Sequence, residues 1–217
     1  PICAHPWNPV SARLALRDET LLDIDLLQTG HAGYLTLGPT VDYVNAAVAR
    51  APRMPVIDGE VNYEGIMGGS GQEVQRAAFW MCITSGAAGH TYGAQGIWQM
   101  NSRSAPPHQG STGSWGDGFW QDAMSLPGST HVGLGRRFLE RYPWWLFEPR
   151  AEPALPEGRV SPFATGIPGA LAIYYLPVDC LEDRLRGISQ GPFDGRRARV
   201  TVEPGACYQA YYWNPRT

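Results

Sequence analysis

The sequence predicts an α/β fold: the C-terminal half of a (β/α)8 TIM barrel over residues 1–150, then a small antiparallel, sandwich-like β domain over residues 151–217. Three observations lead there. Up to about residue 145, four short apolar runs each end in polar residues and give way to a helical pattern or a long loop, as parallel βαβ units do. A complete barrel takes roughly 250 residues and eight strands, so four strand signals account for half of one. Beyond Pro149 the helical period stops. Residues 151–160 are rich in Pro and Glu as a linker would be, and the runs that follow are β-branched or aromatic between Pro and Gly turns.

The strand signals are Ile2-Cys3-Ala4, Leu22 to Leu27, Pro55-Val56-Ile57 and the small-residue stretch Gly86-Ala87-Ala88-Gly89. They end in His5-Pro6-Trp7-Asn8, Gln28-Thr29-Gly30-His31, Asp58-Gly59-Glu60 and His90-Thr91-Tyr92-Gly93 respectively. Helices are expected from Val41 to Arg50 after the Gly38-Pro39-Thr40 start signal, from Gly71 to Thr84, and from about Thr130 to Arg141 after the Pro127-Gly128 turn. The second has Val74, Ala77, Ala78, Met81 and Cys82 at helical spacing. In the β domain, strands are expected at Leu171–Tyr175, Ala198–Val202 and Cys207–Trp213. About 65 residues are marginal for independent stability, so this unit is expected to pack on the barrel.

Composition narrows the function. With 43% hydrophobic residues the 217-residue chain can build a core, and no apolar run approaches the length of a membrane span. A net charge of −3 offers no electrostatic footprint for nucleic acid or an anionic bilayer. All 17 cationic residues are Arg, which removes every Schiff-base or lysine-base mechanism. The four cysteines have no zinc-knuckle spacing; a Cys180–Cys207 bridge and two free thiols both fit the pattern. Eight Trp serve equally to fill a core or to stack on sugar faces.

Polar residues gathered just after strands point to the C-terminal face of a barrel, where the site is built. Glu60 reads as a catalytic carboxylate: an acid at the end of a buried strand is costly unless hydrogen-bonded or used. The alternative is a loop-capping role for Asp58 or Glu60, with Glu64 the competing carboxylate, more apt to hold a loop or a substrate hydroxyl. His5, His31 and His90 each follow a strand and would together suit a metal ion. A metal-dependent barrel hydrolase also needs a bridging Lys and a late Asp, so the histidines are expected instead to hydrogen-bond substrate or orient carboxylates. No metal or other cofactor is expected. His108 and His131 are assigned to the surface. The long loop from Ala94 to Pro127 carries Gln95, Trp98, Gln99, Asn101, Trp115, Asp117 and Trp120, a length and composition suited to a binding loop at a barrel mouth. Trp144 and Trp145 are expected to pack at the domain junction.

These residues resemble the apiosidase-like glycoside hydrolases, barrel enzymes with a small C-terminal β domain. The resemblance rests on His5-Pro6, Gln28-Thr29-Gly30-His31, Pro55 to Glu60 with Tyr63-Glu64-Gly65, Gly86 to Gly93 with Gly96-Ile97-Trp98, Pro143-Trp144-Trp145, and Ile173 to Pro177 with Trp213 to Thr217. It implies a retaining glycosidase with Glu60 as nucleophile on the seventh strand and an acid/base after the fourth. The chain begins near the fifth strand, so the acid/base is expected outside it and this stretch alone is expected to be inactive. His5, His31, Glu64, His90, Tyr92, Gln95 and Trp98 are the expected substrate-binding residues. The expected partners are an oligo- or polysaccharide substrate and the N-terminal half of the barrel, with a secreted or periplasmic location. A carbohydrate-binding pseudoenzyme and a metal-dependent barrel hydrolase are the alternatives.

Overall fold

The computed structural model describes residues 1–7, 10–104, 115–150, 163–177, 200 and 202–217. The first 140 residues supply strands β1 (Val10–Ser11), β2 (Asp25–Gly30), β3 (Val56–Val61) and β4 (Gly89–His90). Helices α1 (Ala12–Ala15), α2 (Leu37–Ala49), α3 (Gln72–Thr84), α4 (Trp120–Ala123) and α5 (Pro127–Leu139) lie between and after them. Strand order is β1-β2-β3-β4, with β2, β3 and β4 parallel and β1 antiparallel to β2. Two consecutive βαβ units, β2-α2-β3 and β3-α3-β4, therefore form the body of this region.

One face of the sheet is apolar and covered by helices. Leu27 and Val56 pack against Val44 and Ala47 of α2 and Cys82 of α3. Strand β2 shows the alternation directly: Asp25, Leu27 and Thr29 are buried on this face, while Leu26 and Gln28 lie on the other. The predicted stripe on α3 is present, but Gln75, Arg76, Phe79, Trp80, Ile83 and Thr84 are buried as well. The helix is enclosed on two sides. Gly135 of α5 approaches Phe79 so closely that a Cβ there would lie 2.2 Å from the ring. A second sheet packs on its remaining flank.

That second sheet has strands β5 (Glu148–Arg150), β6 (Phe163–Ile167) and β7 (Leu171–Tyr175), all antiparallel and in that order. Pro149 is tolerated because β5 is an edge strand, needing no inward N–H at that position. Tyr175 of β7 stacks on Trp80 of α3 with ring centroids 6.0 Å apart. The small sheet is thus attached to the larger unit through an aromatic contact.

Three expected elements differ. Ile2-Cys3-Ala4 is not a strand: the Ile2 carbonyl accepts from both Asp23 and Ile24, and its N–H goes to the Asp23 carboxylate, so no ladder forms. The first strand is instead the short antiparallel β1. Cys207–Trp213 forms no strand either, because Trp213 inserts between helices, 5.5 Å from Trp80 and 4.7 Å from Phe138. Val200 and Val202 are not in a strand, and the rest of that run lies outside the described residues. Cys180 lies outside them as well, so the two alternatives left open for it and Cys207 have no description on its side; Cys207 is an exposed free thiol. Trp144 packs against the core, whereas Trp145 is exposed. No described helix is long and apolar enough to cross a membrane.

Candidate active site

Strand β3 carries two carboxylates, Asp58 and Glu60, that simple alternation would place on one face. They lie on opposite faces. The register against β2 runs Leu27 to Asp58 and then Gln28 to Glu60, so Gly59 is the extra residue of a bulge. Asp58 follows Leu27 toward the helices; Glu60 follows Gln28 to the other face.

Glu60 is met there by three donors from three segments. His31, in the loop after β2, places Nε2 2.8 Å from Oε1, and His5 places Nε2 3.0 Å from Oε2. Tyr63 donates its hydroxyl to the same carboxylate. The Tyr63 N–H donates to His31 Nδ1, which leaves the His31 proton on Nε2, facing Glu60. Asn62 fixes this loop: its Oδ1 accepts from the Gly33 N–H at 2.8 Å and its Nδ2 donates to Gly33 and Thr36. Gln75 of α3 holds the Asn62 carbonyl at 2.6 Å. Burial works to raise the Glu60 carboxyl, but the His31 hydrogen bond, the imidazoles of His31 and His5 beside it and the Tyr63 hydroxyl outweigh it and hold it below the ordinary range. Its side chain remains 16% exposed, so an ionised and oriented carboxylate is reachable from outside.

An aromatic wall continues from this cluster. The His31 and Tyr63 rings lie 4.6 Å apart, Trp115 meets His31 edge-on at 6.4 Å, and Trp98 lies 6.4 Å from Tyr63 with 45% of its surface exposed.

The other expected residues have different surroundings. Glu64 is buried, accepting from the Tyr92 hydroxyl at 2.6 Å and from the Gly128 N–H in the first turn of α5. Burial raises its carboxyl and also raises the Tyr92 hydroxyl, so the pair acts as a clamp between the β4 loop and α5. Gln95 spends its amide inside its own loop, donating to Gln99 and accepting from the Gly118 N–H. His90 does not join His5 and His31. It pairs in register with Asp58, and its ring lies against Phe79 of α3 on the helix-covered face. The three histidines thus do not converge. His131, expected at the surface, is buried and accepts from Arg76 at 2.8 Å. His108 lies outside the described residues.

The family model for the apiosidase-like catalytic domain matches residues 1–146. The chain belongs to the apiosidase-like family. Among solved structures, a glycoside hydrolase matches with a TM-score of 0.63 at 20% identity, covering 73% of this chain and 40% of its own length. A family 5 glycoside hydrolase from Bacteroides vulgatus matches with a TM-score of 0.59 at 22% identity, covering 72% and 39%. Both establish a shared fold, and this chain spans about two fifths of their length. A search of curated proteins found no match.

Within this apiosidase-like chain, Tyr63 and Asn62 join the Glu60 cluster without having been singled out from the sequence as candidate site residues, whereas Trp115 was named there in the long binding loop. Tyr63 left a signal of its own, just past the end of β3 and three residues beyond Glu60. Gly93 makes the Tyr63 position available, since a Cβ there would lie 2.2 Å from the ring. Gly93→Ala is expected to displace Tyr63 from Glu60 and to cost about 1–3 kcal/mol by overpacking. Tyr63→Phe, which removes only the hydroxyl, should cost less; urea titration of the two variants checks both.

Proposed function

We propose that this chain supplies the nucleophile side of a retaining glycoside hydrolase acting on plant or microbial polysaccharide, with an apiofuranosyl unit as the favoured target. Residues 1–150 are read as about strands 5 to 8 of a (β/α)8 barrel. The observation that carries the reading is Glu60 itself, turned by a bulge away from the helices and held oxygen by oxygen between two histidines and a tyrosine. Such donors favour the ionised carboxylate. An ionised, positioned, reachable carboxylate is what attack on an anomeric carbon requires, whereas a general acid must hold a proton.

In this reading Glu60 attacks the anomeric carbon and forms a covalent glycosyl intermediate, which water then hydrolyses. His31 and His5 fix the carboxylate and Tyr63 adds a hydrogen bond that orients it. Trp98 and Trp115 offer ring faces to the sugar. Glu64 acts through Tyr92, holding that ring and the α5 N-terminus in place. The acid/base partner, about 5–5.5 Å from Glu60 in a retaining site, is assigned to the N-terminal half of the barrel. A secreted or periplasmic location follows from the same family reading.

The test is product stereochemistry in a full-length parent protein given an aryl apiofuranoside. Retention of anomeric configuration, read by proton NMR in the first turnovers, is expected. Inversion would overturn the nucleophile assignment, and binding of the glycan without turnover would identify a pseudoenzyme instead.

A further inference from the structure

We propose that Asp58, Cys82 and His90 form a binding site for one zinc-class divalent cation, on the face of the sheet opposite Glu60. The three residues come from β3, α3 and β4, and one ligand atom from each lies within 4.8 Å of the other two. Asp58 and Cys82 are completely buried. Both ring nitrogens of His90 are buried too, and among the described residues neither has a hydrogen-bond partner. An imidazole with neither nitrogen satisfied is expensive in a protein interior, and coordination is one of the few ways to satisfy it there.

The donor set selects the ion. A thiolate, an imidazole and a carboxylate make the borderline-soft mixture that zinc takes, whereas magnesium and calcium require oxygen ligands. Charge supports the same choice: thiolate plus carboxylate neutralise a divalent cation, leaving a buried cluster with no net charge. The outer sphere is also in place. Thr29 donates to the Asp58 carboxylate at 3.1 Å, and Thr40 of α2 donates to the Thr29 hydroxyl at 3.0 Å. Such a chain fixes the orientation of a ligating carboxylate. The present Cys82 thiol to Asp58 contact, 3.5 Å, would give way to two bonds to the ion. With three protein donors, a tetrahedral ion takes water as its fourth ligand.

The site excludes Glu60, His5 and His31. It ties β3 to α3 and β4 two residues ahead of Glu60, and its burial among the helices keeps substrate from the water-held position, so its role is structural. The test uses a chain with Cys3, Cys180 and Cys207 changed to Ser, so that Cys82 is the sole thiol. Purified from zinc-supplemented culture, it should carry about one zinc per chain. Cobalt taken up in its place should give a thiolate-to-cobalt charge-transfer band in the near-ultraviolet and intense tetrahedral bands in the visible. Cys82→Ser should abolish the charge-transfer band. His90→Gln should weaken zinc binding by more than the roughly 10–100-fold that loss of an outer-sphere partner costs. Glu60→Gln should leave both readouts unchanged. A folded chain that shows no charge-transfer band overturns the proposal; so does binding that survives His90→Gln intact or is lost in Glu60→Gln.

Discussion

Glu60→Gln in a full-length parent is expected to lower kcat/KM for glycoside hydrolysis on the order of 10³-fold or more, if Glu60 is the nucleophile proposed above. The substitution keeps volume and one acceptor oxygen, so His31 still has a partner, but it removes the charge and the attacking electron pair. Stability should change little, because the side chain is partly exposed and its surroundings are already polar. A second variant separates nucleophile from stabilising charge. Glu60→Ala opens space beside the anomeric carbon, and added azide should restore turnover and yield a glycosyl azide of inverted configuration. A Glu60→Gln enzyme within tenfold of the parent in steady-state kinetics would place the nucleophile on another residue.

Trp80→Ala is expected to destabilise the chain by about 3–5 kcal/mol, the range for deleting a large buried aromatic. Trp80 is 3% exposed and touches every layer around α3. Its ring meets Phe79 at 5.2 Å, Phe138 of α5 at 5.7 Å, Trp213 at 5.5 Å and Tyr175 of β7 at 6.0 Å. The cavity would therefore open where α3, α5, the second sheet and the C-terminal segment meet, with no single neighbour able to fill it. At roughly 2–4 °C per kcal/mol for a chain of this size, the midpoint should fall by about 6–20 °C in thermal unfolding. Protease should reach the segment around Trp213 before the rest of the chain. A drop under about 1 kcal/mol would show that the small sheet and the tail are not anchored through this ring.

Much of the active-site side was legible because strand ends are marked in sequence. Glu60 and His31 follow apolar runs, and the fold brings them within hydrogen-bonding distance. The same rule failed to separate His90 from His31, since position after a strand says nothing about which face a residue takes. Gln95 misled for a related reason: an amide in a long loop serves the loop's own backbone as readily as a ligand. In the C-terminal part, Phe163–Ile167 was hidden by Ala, Thr and Gly, residues of weak strand signal, and Glu148–Arg150 by its proline. The aromatic run ending at Trp213 read as a strand although most of it is exposed and only the Trp213 ring packs onto the helices.

The order of apolar runs, the helical period of α3 and the chemistry at each strand end are local properties, and the sequence by itself determined them along with the family they resemble. Which side of the sheet each acid occupies was decided only in three dimensions. A one-residue bulge at Gly59 reverses side-chain parity, sending Asp58 among the helices and Glu60 out toward His5 and His31. Parity depends on the register between two strands far apart in the chain, a pairing free energy that no single segment contains.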